Sequence, residues 1–217
     1  MNAAERRHSI IDQIAAAAKL AQRDLSGVEL IAVSKNRTVE EIEELIEAGQ
    51  RDFGESRVQE ALEKWPPLIA RHRDIRLHCI GRLQSNKAAE AVKLFDVIHS
   101  LDRSSLLEAL VREAGKAERF PQVYVQVNIG EEEQKGGCAI AEVGQLVEAV
   151  RRSPLPLAGL MAIPPQDVEP APYFALLAKI AGEHGIAGLS MGMSGDFRPA
   201  VMLGATAVRI GTALFED

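Results

Sequence analysis

Short apolar runs and helix-like stretches take turns along nearly the whole chain, and no other feature of the sequence limits the fold as tightly. Strand-like runs fall at 29–34, 51–54, 76–80, 96–100, 122–129, 156–162, 187–190 and 206–210. Helix-like stretches lie between them at 39–48, 56–64, 86–94, 104–117, 140–151, 170–184 and 196–203. Runs such as "VYVQVNI" and "LAGLMAI" are apolar throughout, as strands buried on both faces of a parallel sheet must be. Parallel neighbours cannot be joined by a tight hairpin; they need a crossover, usually a helix. Eight such units within 217 residues describe an α/β protein, a single (β/α)8 TIM-type barrel spanning residues 1–217. A doubly wound open sheet is the competing arrangement. An extra helix, 3–22, precedes the first strand, with Ile10, Ile11, Ile14 and Ala18 on one face. Pro164, Pro165, Pro170 and Pro172 crowd one loop, but the sequence on either side does not change character, so no linker is read there.

Composition narrows the function classes. The net charge of −6 gives no basic face for displacing counterions from nucleic acid. An apolar content of 47% is enough for a sizeable core. No 18-residue apolar run and no secretory signal pattern is present, so a cytoplasmic protein without a membrane association is expected. Cys79 and Cys138 stand far apart without metal-ligand spacing, as reduced thiols rather than a disulfide. The five histidines likewise lack metal-ligand spacing, and "GEEEQKGG" at 130–137 reads as a solvated loop or a lid.

A barrel carries its chemistry on the loops that follow the strands. Those strand ends hold Lys35, Glu55, Gly81 with Arg82, His99, Asn128, Met161, the run "SMGMSGD" and the run "RIGT". Lys35 follows strand-like "LIAV"; a partly desolvated lysine there would lose basicity and become able to form an imine with a carbonyl. Taken alone, it is more simply a surface lysine. "MSGDF" (193–197) offers a tight turn at Gly195, the Ser194 hydroxyl and Asp196 as a helix N-cap, a combination suited to an anion. "VRIGTALF" (208–215) sets Gly211 and Thr212 after the last strand, where such barrels recurrently bind phosphate, and sets the permanent cation Arg209 among apolar neighbours. An imine-forming lysine across the mouth from a two-loop phosphate site matches pyridoxal 5'-phosphate (PLP), which has an aldehyde at one end and a phosphate at the other.

With these pieces in view, the sequence resembles the pyridoxal phosphate homeostasis protein family, which shares its barrel with the N-terminal domain of alanine racemase. The matching stretches are "AVSK" (32–35), "GQRDFGESRVQE" (49–60), "IGRLQSNK" (80–87), "VNIGEEEQKGGC" (127–138), "GLMAI" (159–163), "LSMGMSGDF" (189–197) and "GATAVRIGTALF" (204–215). The resemblance implies that Lys35 is the Schiff-base lysine and that Ser194, Gly211 and Thr212 contact phosphate, with Ser190 and Met193 close by. It implies that Arg209 faces the pyridine nitrogen and that Ser56, His78 and Asn128 belong to the pocket. Two departures stand out: Ser56 where the family usually has Asn, and Leu77 and Cys79 where aromatic residues usually flank the histidine.

Whether such a protein binds or catalyses turns on two points. A guanidinium donating to the pyridine nitrogen keeps it unprotonated, which weakens the ring as an electron sink. Racemisation also needs an acid/base on each face of the substrate carbon. Lys35 serves one face, but neither Tyr124, inside a strand, nor Tyr173, at a helix start, is placed for the other. Only seven residues follow the last strand-like run, so the racemases' second domain, and the wall it lays over the cofactor, are expected to be absent. The resulting expectation is a monomeric, non-enzymatic PLP carrier or buffer in vitamin B6 homeostasis, with PLP-dependent apo-enzymes as partners. A weak amino-acid racemase is the alternative; a cofactor-free Schiff-base aldolase and a ligand-free scaffold are the remaining classes.

Overall fold

A computed structural model describes residues 1–24 and 27–216. Its eight strands, β1 (Glu29–Val33), β2 (Asp52–Glu55), β3 (Arg76–Cys79), β4 (Val97–Leu101), β5 (Gln122–Gln126), β6 (Leu157–Met161), β7 (Leu189–Met193) and β8 (Ala207–Ile210), close in sequence order into a parallel barrel. The open sheet is thereby excluded. Closure comes from β8 lying beside β1, with Leu30 opposite Val208 and Ile31 opposite Arg209.

The helices α1 (Ala3–Leu20), α2 (Val39–Glu47), α3 (Val58–Arg71), α4 (Ala88–Leu94), α5 (Ser104–Ala117), α6 (Val143–Arg151), α7 (Ala171–Glu183), α8 (Phe197–Met202) and α9 (Thr212–Phe215) form the outer layer. Two begin with a reciprocal capping box, Asn2 with Glu5 in α1 and Thr38 with Glu41 in α2, which satisfies amides that the helix itself leaves free. The extra helix α1 packs on α8, α9 and α2, and so covers the seam where the barrel closes. It buries Ile10, Ile14, Ala17 and Ala18 and leaves Ile11 half-buried.

Three boundaries differ from the sequence reading for physical reasons. α3 runs through Pro66 and Pro67 to Arg71, although each proline removes a helical N–H. Trp65 and Leu68 are fully buried on either side of the pair, and their packing outweighs the lost bonds. β5 stops at Gln126; the next residue pairs instead with Cys138 across the following loop. β7 starts later and runs on to Met193, through a register shift against β8. The short α9 follows β8 where no helix was read.

The core has two parts. One large cluster fills the layer between strands and helices, with Phe53 and Trp65 in tilted ring contact at 5.0 Å. A small one, Val97, Tyr124 and Met161, sits inside the barrel. Branched aliphatics usually fill such an interior. Here His78, His99, Ser190 and Arg209 are also buried in it. Among the described residues no helix is long and apolar enough to span a membrane, and no group of three or more His, Cys, Asp or Glu gathers as a metal site. Cys79 and Cys138 are free and buried, and burial pushes both thiols up to about 12.

At the base of the barrel β6 and β7 touch backbone to backbone. A Cβ on Gly188 would lie 1.9 Å from the Ala158 carbonyl oxygen, and one on Gly159 would lie 2.2 Å from the Gly188 oxygen. Gly188→Ala is therefore expected to destabilise the fold by about 2 kcal/mol or more, read as a lower urea midpoint.

Candidate functional site

A cavity of about 340 Å³ opens at the mouth of the barrel, on the side where the strands end. Seven of the ten residues expected there line it: Lys35, Ser56, Met193, Ser194, Arg209, Gly211 and Thr212. The apolar wall is Val33, Ile80 and Ile163, none of which the sequence reading singled out. Their signal lay in plain sight, because each is the apolar residue at or just beyond the end of its strand.

Lys35 owes its place to a clamp behind it. Its neighbour Ser34 donates from Oγ to the buried Glu55 Oε1 at 2.8 Å. That oxygen also accepts from Trp65 Nε1 at 3.0 Å and pairs with Lys64 Nζ at 2.8 Å, both on α3. Lys64 Nζ donates in addition to the Ser34 carbonyl at 2.8 Å, and Glu60 accepts from the Asn36 amide at 2.6 Å. Asn36 takes the left-handed conformation, φ 59°, that this turn requires and that asparagine tolerates. Glu55 thus faces α3 and not the mouth, contrary to the sequence reading, because strand alternation turns it outward. Lys35 itself is exposed on the cavity wall, without the partial desolvation expected, since it stands two residues beyond the end of β1 at the rim.

Opposite Lys35, two loops meet. Just before the first, inside β7, Gly192 has φ 95°, and a Cβ there would come within 2.6 Å of Ala200, so the strand can pass α8 only with glycine. Asp196 sits at the N-cap position, but its carboxylate accepts from the Met193 amide at 2.5 Å instead of capping the helix. In the second loop, Gly211 leads directly into α9. The Gly211 amide donates to Ser194 Oγ at 3.3 Å and ties the two loops together.

Arg209 forms the floor of the cavity. It points inward from β8, almost wholly buried, and donates to Ser190 Oγ at 2.6 Å and to the Ala162 carbonyl at 3.1 Å. Burial pushes its guanidinium down to about 10, so it remains a cation at neutral pH; Asp196 and Tyr124 act weakly the other way. Its hydrogen-bonded partners are neutral, and among the described residues no carboxylate lies within ion-pair distance of it. A guanidinium has five N–H donors, and two are used.

Three expected residues do not reach the cavity wall. Ser190 and His78 lie beneath it, buried in the barrel. Asn128 braces its own loop, accepting from the Glu132 amide at 3.2 Å and donating to the Glu132 carbonyl at 2.9 Å. Of the two tyrosines, Tyr124 stacks under His99 at 4.5 Å, toward the far end of the barrel, and Tyr173 packs on the outer layer.

The chain matches the family model described as alanine racemase, N-terminal domain, over residues 10–217. A pyridoxal phosphate homeostasis protein of Aquifex aeolicus is 39% identical over 100% of this chain and 99% of its own. One from Pseudomonas aeruginosa is 40% identical over 98% and 94%. This chain belongs to that family. Among solved structures, PipY of Synechococcus elongatus is 38% identical and covers 98% of this chain and 99% of its own. It superimposes with TM-score 0.87 without PLP and 0.85 with PLP bound. Alanine racemase of Clostridium difficile, at 16% identity and TM-score 0.68 over 94% of this chain and 56% of its own, shares the fold.

In this member of the homeostasis family the site rests on buried charge, and two outcomes follow. Lys64→Met leaves the Glu55 carboxylate buried without its cation, at an expected loss of about 3 kcal/mol in chemical denaturation. His99 is the second case: burial first, and then its proximity to His78, Arg209 and Arg76, hold it well below its ordinary 6.5. The folded chain therefore refuses a proton that the unfolded chain accepts, and stability is lost as pH falls below 6.5. Urea titrations between neutral pH and about pH 5 are expected to show a slope lower by up to about 1.4 kcal/mol per pH unit in His99→Gln.

Proposed function

We propose that the protein binds PLP in the mouth cavity and acts in intracellular vitamin B6 homeostasis as a carrier or buffer, without a robust catalytic activity. One observation carries the reading: a lysine amine, two loops tied by the Ser194–Gly211 bond, and a buried cation with donors to spare share one cavity. The residues fit the group. Lys35 would hold the aldehyde end through its amine. Ser194, Gly211 and Thr212 hold the phosphate. Arg209 would donate one of its free N–H groups to the ring nitrogen, whose lone pair accepts.

Bound there, PLP supplies an aldehyde that condenses with amines and a ring that withdraws electrons. The surrounding residues favour holding over turnover. A permanent donor at the ring nitrogen leaves that nitrogen without a proton of its own, and neither tyrosine lines the cavity to serve a second face of a substrate. The relatives named above are called homeostasis proteins. An open mouth with an exposed lysine suits exchange, and in this reading the protein acts as a monomer that passes PLP to apo-enzymes that depend on it.

Absorption spectroscopy tests this directly. The purified protein mixed with PLP is expected to show a yellow band that Lys35→Ala lacks, with alanine racemisation at background in both. A band that survives in Lys35→Ala overturns the anchor, and racemisation above background that depends on Lys35 overturns the carrier role in favour of a weak racemase.

A further inference from the structure

A row of polar side chains threads the inside of the barrel from the cavity floor to its opposite end. Below Arg209, Ser190 Oγ lies 2.8 Å from His99 Nδ1. His99 Nε2 lies 2.9 Å from His78 Nδ1, and His78 Nε2 lies 3.1 Å from Asp52 Oδ1. Both histidines and Ser190 are buried, while Asp52 is about a quarter exposed. Each link comes from a different strand: β2, β3, β4, β7 and β8. The other charged or titratable groups at the lower end are Arg76, which pairs with Glu29 at 2.7 Å and lies 3.4 Å from the same Asp52 Oδ1, Asp96 near Arg76, and Tyr124 stacked under His99.

Hydrogen-bond bookkeeping leaves one direction for the row when both rings are neutral. A guanidinium only donates, so Ser190 Oγ accepts from Arg209. A carboxylate only accepts, so His78 donates to Asp52 from Nε2. The neutral His78 ring must then accept at Nδ1, which requires His99 to donate from Nε2 and to accept at its own Nδ1. The Ser190 hydroxyl supplies that last proton. The opposite arrangement needs His78 to carry two protons, and it turns the Ser190 hydroxyl hydrogen out of the row.

We propose that Asp52, His78, His99 and Ser190 are positioning residues forming a one-way hydrogen-bond chain that makes Asp52 the remote counter-charge of Arg209. Each link polarises the next, so the carboxylate at the far end of the row makes the Ser190 oxygen a stronger acceptor and fixes the guanidinium plane. The consequence for ligand binding rests on the PLP reading: the chain orients the donor that meets the ring nitrogen. None of the four touches the ligand in this scheme. Their burial behind Arg209 also explains why His78 and Ser190 lie near the pocket in sequence pattern yet off its wall.

Nitrogen-15 NMR of the imidazoles in the ligand-free protein near neutral pH tests the direction. Both His78 and His99 are expected as neutral rings protonated at Nε2; a proton on Nδ1 of either ring overturns the proposal. PLP titrations of Asp52→Ala, Ser190→Ala and the double variant test the coupling. Each single change is expected to weaken binding about three- to tenfold and to shift the visible band, and the double to be no worse than the weaker single. Effects that multiply, or an Asp52→Ala protein that binds as the wild type does, overturn it. If either variant fails to fold, the wild-type ring protonation still decides. If wild-type protein takes up no PLP, the binding reading fails while the NMR result still judges the chain.

Discussion

The pairing of β8 with β1 is the contact on which the site depends. It joins segments from the two ends of the chain and, by setting Ile31 opposite Arg209, brings the turn that carries Lys35 beside Gly211 and Thr212. No local interaction could do this across 175 residues of sequence. It follows from completing a circuit of parallel strands, in which every crossover helix lies outside and every second side chain points in. α1 then covers the seam, so the extra helix supports the very junction where the cavity forms.

A barrel that turns polar groups inward gives up apolar burial at its centre. The Val97, Tyr124 and Met161 cluster fills only part of the interior. The rest is occupied by groups that must satisfy one another, because an unpaired buried donor or acceptor costs more than a pair contributes. In the outer layer Glu55 meets that demand at one oxygen, which gathers Ser34, Lys64 and Trp65, while its Oε2 is buried without a hydrogen-bond partner among the described residues. These two polar groupings flank the mouth, one behind Lys35 and one below Arg209.

Much of this was legible in the sequence, and the parts that were not share a cause. Eight alternating runs announced the barrel because the period of a buried parallel strand is short and its crossover long. Lys35, Ser194, Gly211 and Thr212 were visible because their residue types carry chemistry wherever the strand ends fall. Side-chain direction was not visible: Glu55 and Lys35 both looked like mouth residues, and alternation sent the first outward. α3 was cut short at its prolines because local propensity argued for a stop, whereas the burial of Trp65 and Leu68 is a tertiary fact. His99 was visible only as a strand-end residue and Asp52 only as part of the stretch 49–60; their connection comes from neighbours on other strands.

The bond between Ser194 and Gly211 has a consequence for kinetics as well as for shape. In the proposed binding mode it would hold one anchor point at a fixed span from the clamped turn of Lys35, so PLP gripped at both ends would be in effect a chelate. Once the first end is seated, the second meets its partner at a high effective concentration, and neither grip need be strong alone. Release then proceeds one end at a time. For PLP held in the proposed mode, such a span would combine retention with stepwise displacement by an incoming amine, without any opening of the barrel.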